Sequence, residues 1–152
     1  MFSALGAGLM AGLFFAFSVF VMTALDRLPP PQGMAAMNSI NAAILNPVFG
    51  LVFAGTAVAS VILAFGSIVS WDADGAGYLL AGSLLYLTGS FLITLTVHVP
   101  LNNRLAAAAS SAGHEAWKPY LARWLPWNHV RTVATLAAAA CFIMAFRQVG
   151  SS

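Results

Sequence analysis

Three stretches of this chain, Phe2–Leu25, Pro47–Val69 and Gly77–Val97, hold no charged side chain, and a fourth, Trp127–Phe146, holds only Arg131 besides His129. A helix needs about 20 predominantly apolar residues to cross a bilayer, and each stretch is of that length. Inside lipid the backbone has no water to bond to, so a spanning segment satisfies its own N–H and C=O groups by becoming a helix. The expected fold is therefore all-α: an integral membrane four-helix bundle, one domain over residues 1–152, with short interfacial helices in the first and third connections. Composition points the same way. Only 7% of residues are charged and 61% are hydrophobic, whereas a soluble domain carries roughly a quarter charged residues.

These numbers also exclude partners. Net charge is only +2, and no Lys/Arg cluster forms a face for nucleic acid. The single cysteine, Cys141, rules out an internal disulfide. The first apolar run has no Lys or Arg ahead of it, so a cleaved signal peptide is not expected. The expected partners are the lipid bilayer and a hydrophobic small molecule.

The connections have distinct characters. Asp72 and Asp74 mark a tight turn between spans two and three. Pro29, Pro30 and Pro31 break the first connection, after which Met34–Leu45 reads as a short helix. Asn46-Pro47 has the form of an N-cap followed by proline at the first helical position. The third connection, Asn103–Pro126, is the longest and carries "AAAASS" and "HEAWKPYLARW" as candidate interfacial helices. Arg27, Arg104, Lys118 and Arg123 fall in the first and third connections, against Arg147 alone on the other side. By the positive-inside rule those connections are cytoplasmic and both termini lie outside, in a bacterial inner membrane. Gly8 and Gly12 form a GxxxG in span one, which suits ordinary bundle packing or the seam of a homodimer.

Polar residues from three chain segments converge at one membrane depth: Asn38, Asn41 and Asn46 before span two, His98, Asn102 and Asn103 at the end of span three, and Asn128, His129, Arg131 and Thr132 at the start of span four. Asn128, Arg131, Thr132 and Thr135 share one helical face by the spacing i, i+3, i+4, i+7. Lipid penalises polar side chains, so that face turns inward. Thr94, His98 and Asn102 repeat the pattern on span three, and Pro100 frees the carbonyl of Thr96. Arg131 sits near a helix N-terminus, the unfavourable end of the dipole for a cation. It pairs with Asp26 or Glu115, snorkels to lipid phosphate, or receives an anionic ligand. His98, His114 and His129 with Glu115 invite a metal reading, and His98 with His129 a haem, but no ligand spacing supports either. A structural, hydrogen-bonded imidazole is the commoner role. Phe14, Phe17, Phe20 and Phe49 would wall a flat aromatic ligand.

The motifs "AFSVFVMTAL..LP", "INAAILNPVF", "VPLNN" and "W..WNHVRT", in this order, resemble the anthrone oxygenase-like membrane protein family over most of the chain. Asn46, Pro47, Pro100, Asn102, Trp127, Asn128, His129 and Arg131 stand at that family's recurring positions, while asparagine is usual where this chain has His98. The resemblance implies a small four-helix membrane oxygenase that converts a hydrophobic, anthrone-like substrate with dioxygen as co-substrate and no cofactor. It implies His129 as the base, with Arg131 and Asn128 stabilising the enolate. Asn102, His98, Asn46, Asn41, Trp127 and Thr132 would contact substrate. Two other classes stay open: a non-catalytic subunit or scaffold of a larger membrane complex, and a haem- or metal-binding redox protein using His98 and His129. Transport is disfavoured, because broken helices do not recur at matching positions.

Overall fold

The computed structural model describes residues 1–110 and 114–149. Four helices are long and apolar enough to cross a membrane: α1 (Phe2–Asp26), α3 (Pro47–Val69), α4 (Ala76–Ala109) and α5 (Trp117–Gln148). Helix α2 (Pro30–Ala43) lies in the first connection. No strand occurs among the described residues. The expected all-α four-helix membrane bundle is what forms.

Local chemistry explains the helix starts. Pro30 and Pro31 open α2, where the missing N–H groups need no partner. This moves its start ahead of the expected Met34. Asn46 caps α3, its Oδ1 accepting from the Phe49 N–H at 3.0 Å, with Pro47 at the first helical position. Gly75 makes the turn into α4 with φ of +80°, a left-handed conformation that favours glycine. A side chain there would also press on the backbone of Ala145.

The third connection differs from expectation. The "AAAASS" stretch continues α4 and most of "HEAWKPYLARW" begins α5, leaving a short 3₁₀ turn, His114–Ala116, between them. Neither Pro100 nor Pro126 ends its helix. Before Pro100, α4 widens into π turns at Leu87–Leu92 and Thr94–His98, and the Val99 N–H reaches back to the Thr94 carbonyl. Such a turn re-pairs the backbone around a residue that cannot donate. With 34 and 32 residues, α4 and α5 are about 51 Å and 48 Å long at 1.5 Å per residue. The hydrocarbon core is about 30 Å thick. Both helices therefore overshoot, and they overshoot at the same end, where α2 packs across them.

Two cores result. In the membrane half Ala7, Met10, Phe14, Phe53, Tyr86 and Phe142 pack together with Ala57, Ala138 and Ala139. In the overshooting cap Met22, Met34, Met37, Leu105, Trp117, Tyr120 and Trp124 form a second cluster. Helix α3 exposes Leu51, Val58, Ile62, Phe65 and Val69 in an almost continuous apolar face suited to lipid.

Candidate functional site

A cavity of about 360 Å³ lies at the junction of the two cores. This is within the usual range for small-molecule sites, about 300–1,000 Å³. Every helix contributes: Phe14 and Phe17 from α1, Asn38 and Asn41 from α2, Phe49 from α3, Thr94, His98 and Asn102 from α4, and Trp124 and Arg131 from α5. The exposed members of its lining, Ala42, Leu45, Val99, Asn103 and Ala106, mark a mouth between α2 and α4. Two π turns, Phe17–Val21 and Thr94–His98, fall at this depth. Each turn shifts the facing of the side chains beyond it, a device often found at functional sites.

Arg131 is the most constrained group. Only 6% of it is exposed. Its Nη1 donates to Thr94 Oγ1 at 2.9 Å and its Nη2 to Asn128 Oδ1 at 2.7 Å. The guanidinium carbon sits 4.1 Å from the centre of the Phe14 ring and 5.6 Å from that of Trp124, within cation–π range. The sequence left three fates open for this cation. Asp26 is taken by Lys118 at 2.8 Å, the only ion pair among the described residues. Burial removes the snorkelling option. Arg131 is thus held by neutral groups alone, on the wall of a cavity.

Asn128 fixes that arrangement. It is fully buried. Its Nδ2 donates to the Phe14 carbonyl and to Ser18 Oγ, both at 2.8 Å. Its Oδ1 must face the guanidinium, which can only donate. Ser18 and Thr132 lie 2.9 Å apart, and Thr132 donates back to the Asn128 carbonyl at 2.8 Å. Asn128 and Thr132 belong to this α1–α5 lock and do not line the cavity. Neither Asn128, expected to stabilise an enolate, nor Thr132, expected to contact substrate, reaches the cavity.

His98 is also buried, at 2% exposed. Its Nε2 lies 3.3 Å from the Trp124 carbonyl, and its ring meets the Trp124 ring edge-on at 4.8 Å. A carbonyl only accepts, so the tautomer with its proton on Nε2 satisfies this contact and leaves Nδ1 as an acceptor. Asn102 ties three helices together: its Nδ2 donates to Asn41 Oδ1 at 3.0 Å, while its Oδ1 accepts from Tyr120 at 2.8 Å and Trp124 at 3.1 Å. Four buried atoms of cavity-lining residues have no hydrogen-bond partner among the described residues: Arg131 Nε, His98 Nδ1, Asn41 Nδ2 and Asn38 Oδ1. A ligand could satisfy such a set of two donors and two acceptors, and a buried polar group is rarely left without a partner.

Other expected residues lie elsewhere. His129 is exposed, on a different face of α5 from Arg131. It follows Asn128 directly, and one residue turns a helix by about 100°. Trp127 is 43% exposed, Asn46 is occupied as the α3 cap, and Phe20 faces outward. His98 and His129 are not brought together, the His114 side chain lies outside the described residues, and no group of three His, Cys, Asp or Glu that could hold a metal ion occurs among the described residues. Thr94 and Phe14 fall on faces that the sequence had already marked as polar or aromatic. Trp124 and Tyr120 lie in what the sequence reads as the third connection, Asn103–Pro126, where they suit an interfacial aromatic belt.

A family model described as anthrone oxygenase matches residues 45–141. The chain belongs to the anthrone oxygenase family. The matched region runs from the cap of α3 to near the end of α5, and so includes Thr94, His98, Asn102, Trp124, Asn128 and Arg131. The remaining cavity walls, from α1 and α2, lie outside it. No curated protein and no solved structure matches the chain.

Proposed function

We propose that this member of the anthrone oxygenase family is a cofactor-independent oxygenase acting on a flat, hydrophobic, anthrone-like substrate. The observation that carries the reading is Arg131, a buried cation without a carboxylate partner among the described residues, on the wall of a largely aromatic cavity. A guanidinium in a water-poor site stabilises an oxyanion as charge develops. His98 Nδ1 takes a proton from the activated CH₂ carbon, leaving an enolate whose oxygen rests against Arg131. The electron-rich carbanion reduces dioxygen by one electron, the radical pair combines to a peroxide anion, and His98 returns its proton to give the hydroperoxide. Loss of water then leaves a ketone: one oxygen atom enters the product, the other leaves as water, and no external reductant is required. Phe14, Phe17 and Phe49 wall the rings. The mouth between α2 and α4 admits an apolar substrate from the membrane, where dioxygen also concentrates. The arginine-bearing cap faces the cytoplasm of a bacterial inner membrane and both termini face out.

Oxygen uptake with an anthrone, in protein reconstituted in nanodiscs, tests this. Arg131→Gln lowers kcat by about 10²–10³-fold and His98→Ala by about 10²–10⁴-fold. His129→Ala retains near wild-type turnover. Equal rates for all three variants, or loss only in His129→Ala, would refute these roles. A second reading, as a subunit packing against another copy or partner, is favoured by Gly8 and Gly12, which are exposed and meet nothing within 4 Å. Leucine at both positions breaks co-purification with that copy or partner, and unchanged co-purification refutes this reading.

A further inference from the structure

A second hollow, of about 190 Å³, opens between the overshooting ends of α4 and α5. Leu101, Leu105, Pro119 and Tyr120 form its apolar part, and Arg104 and Arg123 flank it from different helices. Both arginines are exposed, and neither has an ion-pair partner among the described residues. The acids at this end do not answer them. Asp26 is engaged by Lys118, and Glu115, on the 3₁₀ turn before α5, is exposed and makes no ion pair among the described residues. Two like charges therefore flank one hollow without a counter-ion among the described residues. Like charges repel, so the pairing is unfavourable unless something negative sits between them.

Depth identifies the kind of anion. The uncharged part of α4 ends near Val97 and that of α5 begins near Trp127. At 1.5 Å per residue, Arg104 lies about 10 Å and Arg123 about 6 Å beyond those limits. The polar headgroup layer adds roughly 5–7 Å on each side of the hydrocarbon core. Arg123 thus stands within the headgroup layer and Arg104 just beyond it, close enough for its long side chain to reach back to a lipid phosphate, with apolar side chains beside them for a glycerol or acyl segment.

We infer that this hollow binds phosphate, supplied by the headgroup of an anionic phospholipid. Guanidinium suits it because its planar fork donates two parallel hydrogen bonds to phosphate oxygens. Tyr120 links the hollow to the main cavity: its ring lines the hollow and its hydroxyl holds Asn102. A bound headgroup would steady the cap that roofs the substrate site. The assignment does not depend on the oxygenase reading.

The test measures lipid retention by native mass spectrometry, and thermal stability, for intact protein in bilayers of phosphatidylcholine with or without phosphatidylglycerol. Wild type retains phosphatidylglycerol preferentially and is stabilised by it. Arg104→Gln and Arg123→Gln each weaken that preference about five-fold, the worth of one basic residue at an anionic surface. Arg27→Gln, a basic residue outside the hollow, leaves it unchanged. Inorganic phosphate is added to the phosphatidylcholine sample as a separate arm. Stabilisation by phosphate in wild type but not in the double variant supports the same site with a soluble ligand. Undiminished preference in the double variant, an equal loss in Arg27→Gln, or no response to either anion overturns the proposal.

Discussion

In the membrane half, helices meet through alanine and glycine: Ala7, Ala11, Ala57, Ala138 and Ala139 are buried, and Gly6 lies against Thr56. In the cap, the buried cluster is built of larger side chains, Met22, Met34, Met37, Leu105, Trp117, Tyr120 and Trp124. Lipid tails are as apolar as leucine, so helices inside the bilayer gain little from burying apolar surface and associate by close contact and hydrogen bonds. The cap is closer to water, and there large apolar side chains are driven together in the ordinary way. The cavity lies where the two clusters meet, with Phe14 contributed by one core and Met37 and Trp124 by the other.

The largest expected effect comes from the lock that joins them. Asn128→Leu removes the partners of Arg131 Nη2, the Phe14 carbonyl and Ser18 at once. A buried group left unsatisfied costs about 1–3 kcal/mol, more when charged. A loss of about 2–3 kcal/mol in unfolding free energy is expected in bicelles, with the cavity's ligand affinity lost in parallel. If stability falls while affinity holds, Asn128 joins the helices but does not position Arg131.

A smaller effect separates the inner and outer glycine faces of α1. A Cβ at Gly6 would collide with Thr56 Oγ1, whereas one at Gly8 meets nothing within 4 Å. Gly6→Val should cost about 1–3 kcal/mol by overpacking. Gly8→Val should stay within about 0.5 kcal/mol, as exposed substitutions usually do. Unfolding of the two variants side by side checks this. Equal destabilisation would mean that the small-residue contact does not set helix spacing in the membrane half.

The sequence carried much of this, and its failures have physical causes. Spans, the Asn46 cap and the inward face of Asn128, Arg131 and Thr135 were legible because each depends on local chemistry or on period alone. The same period placed His129 on another face, yet its neighbours in "WNHVRT" drew it into the site. Trp117, Tyr120 and Trp124 continue the face of Asn128 and Arg131 toward the N-terminus of α5. The sequence reads them as an interfacial aromatic belt in a separate connecting helix that ends at Pro126, although a proline within a membrane helix is tolerated when neighbouring groups re-pair the backbone. The π turns leave no signal in residue spacing. The contact between Arg131 and Thr94 depends on the packing of α4 against α5, which no local pattern reports.

The smallest effect concerns what holds the cap down. Lys118 reaches Asp26 with contacts of 2.8 and 3.0 Å, bridging α5 to the end of α1. It looks like a clasp, but the lysine side chain is 71% exposed. An exposed pair of this kind contributes roughly 0.2–1 kcal/mol and weakens as salt is added. The Met34, Met37, Trp117 and Trp124 cluster beneath it is nearly solvent-free. Lys118→Met should therefore lower stability by less than about 1 kcal/mol at low salt, with the difference from wild type vanishing at high salt. Salt titration of thermal unfolding for both proteins separates the two causes. A large loss that persists at high salt would mean that the cap is clasped from outside, and the contrast between a small-residue membrane half and a cap held by large apolar side chains would have to be abandoned.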